Sequence, residues 1–282
     1  MSENILIIEA GRAERQYWRD LWRYRELFYV LSWRDMMIRY KQTAVGVLWA
    51  FLQPFIPAVI TTILFSSVGH FSSIPGVPYF LMVFCGTLPW NFFSNSLNAA
   101  SQSVTNNASL VAKVYFPRLI VPAGAVVTSL VDFFVTLIPL FGAMVWAHIW
   151  PTWRILFLPV FILCAFLASL GPGLFLTACN VRYRDFRFLI PFGLQIFVYI
   201  TPVFYWSDLV YNKTSWPWWV PHWLYALNPM TGVIEGFRWA ICGSASNFHV
   251  GYFFISLAVN LLMVWFGVWY FRRTERTFAD VI

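Results

Sequence analysis

Charged residues are the scarcest class in this chain. Asp, Glu, Lys and Arg make up only 11% of its 282 residues, whereas hydrophobic residues make up 60%. A soluble domain carries roughly 25% charged residues, so the composition predicts an integral membrane protein. The net charge of +7 would also suit nucleic acid, but we exclude that partner because the basic residues stand at the ends of long apolar segments.

Cysteine motifs and catalytic motifs are also missing. The cysteines are widely spaced and form no C-x-x-C, so neither a disulfide framework nor a zinc site is predicted. No G-x-x-x-x-G-K-[ST] occurs, which argues against ATP binding through a P-loop. Asp132 is the only acid deep in an apolar segment, so no pair of carboxylates offers a proton relay. We predict no catalytic residue, no metal site and no cofactor on this chain, and expect any energy input to come from another subunit.

What the chain does have is long apolar segments. A membrane-spanning helix needs about 20 mostly apolar residues, and six segments meet or approach that length. They predict an all-α polytopic membrane protein with a six-helix domain over 43–271, an N-terminal segment over 1–42 and a tail over 272–282. The predicted spans are Thr43–Val68, Tyr79–Ala100, Ile120–Ala147, Trp153–Ala178, Leu189–Trp206 and Val250–Phe271.

The basic residues indicate the orientation of these spans. Sixteen of the nineteen Lys and Arg residues fall in four clusters, within 12–41, 113–118, 182–187 and 272–276. Basic loops between membrane helices are cytoplasmic, and six spans place all four clusters on one face. Both termini are therefore predicted to be cytoplasmic. The apolar run Ile5–Ile8 is too short for a signal peptide, so the N-terminus is expected to stay inside.

Two segments are apolar without being able to span. In Tyr17–Tyr40, Trp and aliphatic residues are interleaved with charges, which predicts an amphipathic helix in the cytoplasmic interface. Residues 208–247 form the longest outer stretch and include Met230–Cys242, a run too short to cross a bilayer. We predict two short re-entrant helices there, broken at Asn228-Pro229, before the last span. They could be an outer lid or an anchor of interfacial aromatic residues.

Polar side chains inside the predicted spans are candidates for function. Thr87, Asn91, Asn95, Asn98 and Gln102 recur at steps of four, four, three and four, which places them on one helical face. Such a stripe could form hydrogen bonds between helices or line a water-filled conduit, and the sequence leaves both open. Asp132 is a functional candidate because ionisable residues in spans are costly, although a packed, partnered carboxyl is the alternative.

A series of short motifs then follows one order along most of the chain. In that order, with six spans and internal termini, the sequence resembles the permease subunit of bacterial ABC transporters that export polysaccharide, in the branch serving O-antigen, teichoic acid and related chains. The motifs are Tyr24–Leu27, Trp33–Asp35, Arg39–Thr43, Gly46, Trp49, Gln53-Pro54, Lys113–Arg118, Asn180–Asp185, Asn228–Met230 and Glu235–Arg238.

The resemblance implies partners and a location. It implies a multi-pass protein of the bacterial cytoplasmic membrane, a homodimer that encloses a channel, and two copies of a separate ATP-binding subunit that carries ATP and Mg. The substrate would be a lipid-linked polysaccharide. It also implies contact with the ATPase through the interface helix, a coupling loop at 101–120 and a second inner loop at 179–188. The expected contact residues are Asn107, Leu110, Lys113, Val114, Tyr115, Arg118, Arg184 and Asp185.

Residue chemistry suggests roles for the other candidates. Arg25, Arg34, Arg39 and Lys41 could receive the lipid pyrophosphate, since guanidinium groups bind phosphate bidentately, although attraction to ordinary anionic lipids would explain them too. Sugars need hydrogen-bonding groups and aromatic faces, so the expected channel lining is Thr87, Trp90, Asn91, Asn95 and Asn98. The expected outer gate is Trp223, Tyr225, Glu235 and Arg238, with the last two three residues apart and able to pair on one helix face.

Two other functions remain open from the sequence. A stand-alone secondary transporter or lipid flippase would need no ATPase, but it predicts buried ionisable groups and inverted repeats, neither of which is clear here. A membrane-embedded transferase would need a catalytic acid or a His cluster at an interface, and the four His residues are scattered.

Overall fold

The computed structural model describes residues 13–41, 46–68, 76–211, 222–243 and 246–278. Within these ranges the regular secondary structure is entirely helical, which confirms the all-α class. Several predicted features lie outside the described residues. They are the start of the first span at Thr43, Lys213, the Trp residues at 216, 218 and 219, and the ends of the chain. The helices are α1 (Ala13–Arg23), α2 (Arg25–Lys41), α3 (Gly46–Val68), α4 (Tyr79–Asn106), α5 (Ala108–Lys113), α6 (Ile120–Trp146), α7 (Leu158–Arg182), α8 (Phe186–Ile200), α9 (Asp208–Tyr211), α10 (His222–Ala226), α11 (Thr231–Cys242) and α12 (Val250–Thr274).

Length and composition identify the membrane helices. Among the described residues, three stretches are long and apolar enough to cross a bilayer: Ile120–Trp146, Trp153–Arg182, which joins a 3₁₀ turn to α7, and Val250–Thr277. The apolar stretches Leu52–Phe65 and Phe186–Ile200 are shorter. Helix α4 has 28 residues and carries the polar stripe. The chain is therefore an all-α polytopic membrane protein, as predicted.

The fifth predicted span differs from the helix that forms. We expected Leu189–Trp206, whereas α8 begins at Phe186 and ends at Ile200. Thr201 adopts an extended conformation, with φ −86° and ψ 142°. It precedes Pro202, and a residue before proline is sterically excluded from the helical region. The apolar residues after Thr201 consequently form turns, which lie against α4 and α11.

The interface segment also differs in detail from the single predicted helix. It divides at Tyr24 into α1 and α2, although backbone hydrogen bonds from Tyr24 to Asp20 and from Phe28 to Tyr24 continue across the junction. Side chains from α1, the loop after α5 and the end of α12 share one apolar cluster. Residues of α2, α4, α5, α6 and α7 also belong to this cluster, which therefore joins segments distant in sequence. It includes Tyr17, Leu31, Val111, Phe116, Phe271 and Phe278.

The membrane core is built around α4, which packs against α6 and α7, while α7 packs against α12. Residues 81–90 of α4 are all buried. Helices α7 and α12 approach closely at Gly171 and Gly267, where a Cβ added to Gly267 would lie 2.1 Å from the carbonyl oxygen of Gly171. Small residues at such crossings let backbones meet and gain van der Waals contact.

Candidate functional site

Helix α2 is held along one face of α6. Gly124, Thr128 and Asp132 are spaced by four residues and so lie on one side of α6. A Cβ on Gly124 would lie 3.0 Å from the Ser32 hydroxyl oxygen. The Thr128 hydroxyl, which donates to the Gly124 carbonyl at 3.0 Å, lies 3.4 Å from the Ser32 carbonyl oxygen. Further along both helices, Arg39 pairs with Asp132. The contacts advance together, so α2 and α6 run side by side in the same direction.

The Arg39–Asp132 pair joins two residues to which we had given separate roles. Arg39 was an expected pyrophosphate ligand, and Asp132 was the acid inside a span. Their side chains are 42% and 20% exposed, so the pair is partly solvated. The structure thus gives Asp132 the partner that a carboxyl in a membrane helix needs.

A second contact ties α2 to the predicted coupling loop. The Arg34 Nη2 atom donates to the Asn107 side-chain oxygen at 2.7 Å and to Asp35 at 2.7 Å. Asn107 stands between α4 and α5, and its amide donates to the Ser103 carbonyl at 2.9 Å. The carboxamide therefore bridges the end of α4 to α2. Of the other expected pyrophosphate ligands, Arg25 is exposed and lies over the Trp22 ring at 5.7 Å, and Lys41 is exposed.

The predicted coupling loop presents one exposed face and one buried face. Helix α5 is a short helix whose last residue, Lys113, is exposed together with Val114 and Tyr115. Leu110 is half-buried and packs against the apolar cluster, to which Phe116 contributes a buried ring. The exposed face is the part of this loop that another protein could contact. Arg184 and Asp185 of the second inner loop are exposed as well.

A polar network that the sequence analysis did not predict joins α1, Arg118 and the C-terminal end of α12. The Tyr17 hydroxyl donates to the Glu275 carboxylate at 3.0 Å, and Arg118 donates to the Glu275 backbone carbonyl. The Arg272 guanidinium lies 4.5 Å above the Tyr17 ring. Burial, together with the neighbouring Glu275 carboxylate, raises the pKa of the Tyr17 phenol, which therefore stays a protonated donor. A lone acid among Arg272, Arg273 and Arg276 was the signal available in the sequence.

The polar stripe on α4 divides between packing and exposure. Asn95 exchanges hydrogen bonds with Gln53 of α3, at 3.3 and 3.5 Å. Asn91 and Asn98 are half-buried, and among the described residues neither the Asn91 amide nitrogen nor the Asn98 amide oxygen has a hydrogen-bond partner. Thr87 is buried and donates to the Val83 carbonyl at 2.8 Å.

Trp90, the aromatic residue expected in the channel lining, is buried inside the protomer. Its ring lies 5.5 Å from the Phe93 ring and 5.9 Å from the Phe197 ring of α8. Only 6% of Trp90 is exposed. Within this single chain Trp90 and Thr87 therefore contribute to packing. Asn91, Asn95 and Asn98 are half-buried, and the Asn91 amide nitrogen and the Asn98 amide oxygen are themselves buried.

On the predicted outer side, Arg238 is buried and held by backbone carbonyls. Its guanidinium donates to Met82 at 3.1 Å, to Tyr205 at 2.9 Å and to Val203 at 2.7 Å. Gly86 makes room for this group, because a Cβ there would lie 2.8 Å from both Arg238 Nη2 and the Val203 carbonyl oxygen. Arg238 thereby fastens α11 to α4 and to the turn after α8.

Glu235 and Arg238, which are spaced to pair on one helix face, share no hydrogen bond among the described residues, because the Arg238 guanidinium donates to those carbonyls. Glu235 is 2% exposed, and neither carboxyl oxygen has a hydrogen-bond partner within the described residues. Its polar neighbours include Ser207 and Tyr211. Of the other predicted gate residues, Tyr225 is buried and donates to the Tyr205 hydroxyl at 3.1 Å, while Trp223 is half exposed.

Side chains form hydrogen bonds with the backbone groups left unpaired at the break between α10 and α11. The Asn228 oxygen accepts the Met230 backbone N–H at 3.0 Å. The Ser256 hydroxyl lies 3.0 Å from the Pro229 carbonyl, and the Asn260 amide donates to the same carbonyl at 3.2 Å. Irregular backbone at membrane depth is tolerated only where protein groups satisfy it. Here Asn228 itself and two side chains of α12 supply those groups.

Residues 26–242 of this chain match the ABC-2 type transporter family. The chain belongs to that family. The O-antigen export system permease protein RfbA of Myxococcus xanthus is 29% identical over 265 residues, which cover 94% of this chain and 98% of that protein. Two O-antigen export system permease proteins RfbA from Klebsiella pneumoniae are each 25% identical, over 259 and 262 residues, which cover 91% of this chain and 95% of those proteins.

Family membership confirms the resemblance on which the site assignments depend. The part of this ABC-2 type transporter chain that matches the family includes Arg34, Asn107, Arg118 and the outer helices α10 and α11. Tyr17 and Glu275 lie outside it. The network that they form at the C-terminal end of α12 is therefore not part of the region matched to the family.

Proposed function

We propose that this chain is the membrane-spanning permease of an ATP-driven exporter of lipid-linked polysaccharide, O-antigen or a similar polymer such as teichoic acid, in the bacterial inner membrane. The observation that carries the proposal is similarity to three O-antigen export permeases over nearly the full length of both sequences. The sequence has no P-loop, so ATP and Mg would bind to a separate subunit. The working unit would be a permease homodimer with two such subunits and cytoplasmic termini.

The ATPase would act on the exposed face of α5 and its following residues. Lys113, Val114 and Tyr115 are exposed, whereas the neighbouring Phe116 is buried in the cluster shared with α1 and α12. A force on the exposed face would therefore pass to the buried anchor. The Arg34–Asn107 hydrogen bond would carry the same displacement to α2.

Helix α2 would pass this movement to the membrane. It packs along α6 from Ser32 to the Arg39–Asp132 pair, so the two helices would move as one unit. Charge-assisted hydrogen bonds are stronger than neutral ones and specify geometry, which supports a rigid link. In this proposal Arg34 and Arg39 transmit movement, and Arg25 and Lys41 are the better candidates for attracting a lipid pyrophosphate.

The polymer would pass the half-buried amide side chains of α4. Asn91, Asn95 and Asn98 offer both donors and acceptors to sugar hydroxyls, and half-buried positions in one protomer suit the lumen of a homodimer. Helices α10 and α11 would form the outer gate, with Arg238 as the fixed point that fastens α11 to α4. Trp223, which is exposed, would then belong to the mobile side of that gate.

Reconstitution tests this function. The permease would be incorporated into proteoliposomes with and without its co-expressed ATP-binding subunit. The outer leaflet of these proteoliposomes would carry the lipid-linked polysaccharide. We expect polymer to be translocated only when the ATPase and ATP are both present. Translocation by the permease alone would support a secondary transporter or flippase instead. A covalent change in the lipid-linked sugar would support a transferase.

A further inference from the structure

A cavity of about 700 Å³ lies where two membrane helices begin and end. Its lining comes from α1, from the loop between α5 and α6, and from the last turns of α12 with the 3₁₀ turn that follows. Cavities of roughly 300–1,000 Å³ are the usual size of small-ligand sites. The polar network of Tyr17, Arg118 and Glu275 forms one wall of this space, and Val114 and Tyr115, the exposed residues proposed to meet the ATPase, stand at its edge.

The cavity is strongly basic. Among the described residues its lining holds four arginines and two carboxylates. One carboxylate, that of Glu275, already accepts the Tyr17 hydroxyl, and the Glu275 carbonyl accepts Arg118. The balance of charge therefore favours an anion. The arginines are Arg118, Arg272, Arg273 and Arg276.

Aromatic rings orient two of these guanidinium groups. Arg272 lies 4.5 Å above the Tyr17 ring, and Arg273 lies 5.7 Å above the Trp269 ring. A guanidinium that stacks on a ring uses its planar face, so its N–H edge can still bind an acceptor such as phosphate bidentately. The arrangement positions donors around the cavity without filling it.

The location indicates what kind of anion would be within reach. Helix α6 begins at Ile120, two residues after Arg118, and Arg272 and Arg273 are in the last turn of α12. The ends of two membrane helices lie at the level of lipid headgroups, where Trp and Arg are enriched. Val114, Phe116 and Pro117 add an apolar wall that suits the glycerol or isoprenoid part of a lipid.

We propose that this cavity binds the phosphate-bearing headgroup of a lipid in the leaflet that faces α1. Two lipids carry the required chemistry: an anionic phospholipid of the bilayer, and a polyprenyl pyrophosphate of the kind that anchors an exported polymer. The first would fasten α1 and the coupling loop to the membrane surface. Binding of the phospholipid does not depend on the exported polymer, so a failure of polysaccharide export would leave it intact. Binding of the polyprenyl pyrophosphate rests on the proposed function, and it fails separately if only phosphatidylglycerol protects the cavity.

Cysteine labelling of the full-length permease in detergent tests the proposal. Val114 is exposed and lines the cavity, whereas Ser109 is exposed on α5 and does not line it. The native cysteines are all buried, so a charged maleimide should report on Val114→Cys or Ser109→Cys. The probes are dioctanoyl phosphatidylglycerol, dioctanoyl phosphatidylcholine, polyprenyl pyrophosphate and inorganic pyrophosphate. The ionic strength would be about 0.15 M, which screens distant charges.

We expect phosphatidylglycerol, polyprenyl pyrophosphate or both to slow the labelling of Val114→Cys saturably, and to leave Ser109→Cys unaffected. The more potent of the two identifies the source. Adding Arg273→Gln should raise the half-effective lipid concentration about tenfold, the loss expected for one charge-assisted hydrogen bond. Arg273→Lys, which keeps the charge without the planar fork, should give a smaller shift. The control Arg187→Gln, an exposed arginine outside the lining, should change the concentration less than about twofold, since distant exposed charges are screened.

Several outcomes would overturn the proposal. Equal protection by phosphatidylcholine would reduce the cavity to an apolar surface, and equal protection by inorganic pyrophosphate would remove the lipid from it. Protection of Val114→Cys by the ATP-binding subunit, with none by any lipid, would assign the cavity to protein docking. An identical response of Arg273→Gln and Arg187→Gln would show that the cavity arginines bind nothing specific.

Discussion

The buried Arg238 guanidinium fits beside α4 only because Gly86 has no side chain. The substitution Gly86→Ala tests this close fit. The added methyl would lie 2.8 Å from Arg238 Nη2, 2.8 Å from the Val203 carbonyl oxygen and 3.3 Å from the Val203 Cα. Two of these atoms belong to the backbone of the turn after α8. They cannot swing away as the end of a flexible side chain can, so either the turn or Arg238 must move.

The magnitude follows from opposing effects. Forcing an extra methyl into a packed site costs about 1–3 kcal/mol. If the 2.7 Å bond from Arg238 to Val203 is lost, a further ~1.5–3 kcal/mol goes with it. Alanine gains about 1 kcal/mol over glycine inside a helix. We therefore expect Gly86→Ala to lower the free energy of unfolding by about 1.5–5 kcal/mol.

The assay is thermal stability in detergent, measured by fluorescence-detected size exclusion. Gly142→Ala in α6 is the control, because no described atom lies within 4 Å of its added Cβ, and it should be neutral or slightly stabilising. Combining Gly86→Ala with Arg238→Met should cost less than the sum of the two single changes, since the methyl and the guanidinium compete for one space. A Gly86→Ala protein as stable as the wild type would refute the close packing of Arg238 against Gly86. It would also refute the proposal that Arg238 fastens the gate helix α11 to α4.

Three further predictions concern coupling, lumen and membrane packing. Lys113→Glu, an exposed change, should leave dimer assembly and ATP hydrolysis in place and reduce export, and unchanged export per ATP would remove α5 from the coupling path. Asn95→Leu removes the hydrogen-bond partner of Gln53 and should reduce polymer export while the homodimer stays intact. A dimer that dissociates on size exclusion would instead assign the Asn95 amide to packing. In a double-mutant cycle of Asp132→Asn and Arg39→Met, the partly exposed pair should contribute about 0.2–1 kcal/mol to stability, and a value near zero would exclude the pair as a link between α2 and α6.

The membrane helices were predictable because composition over some 20 residues determines them. The errors lie where one neighbour outweighs composition. Residues after Thr201 are apolar enough to extend α8, but Pro202 excludes Thr201 from helical geometry. A single dipeptide therefore shortened a span that hydropathy had extended to Trp206.

The candidate site was less predictable, because its partners are distant in sequence or carry no sequence signal. Arg39 and Asp132 are 93 positions apart, and Arg34 and Asn107 are 73 apart. Sequence chemistry identified each of these residues as important without showing that they meet. Arg238 was expected beside Glu235 on local spacing alone, whereas its acceptors are backbone carbonyls, which every residue possesses.

The two α2 contacts change the meaning of the N-terminal arginines. A cation that waits for a lipid should have an open donor edge, yet Arg34 donates to Asn107 and Asp35, and Arg39 pairs with Asp132. Arg34, in the middle of α2, connects that helix to Asn107 before α5, and Arg39, near the end of α2, connects it to the middle of α6. Helix α2 is thus fastened both to the segment proposed to meet the ATPase and to a membrane helix. Arg34 and Arg39 therefore connect segments within the protein, which leaves Arg25, Lys41 and the cluster around Arg272 and Arg273 as the candidates for binding lipid phosphate.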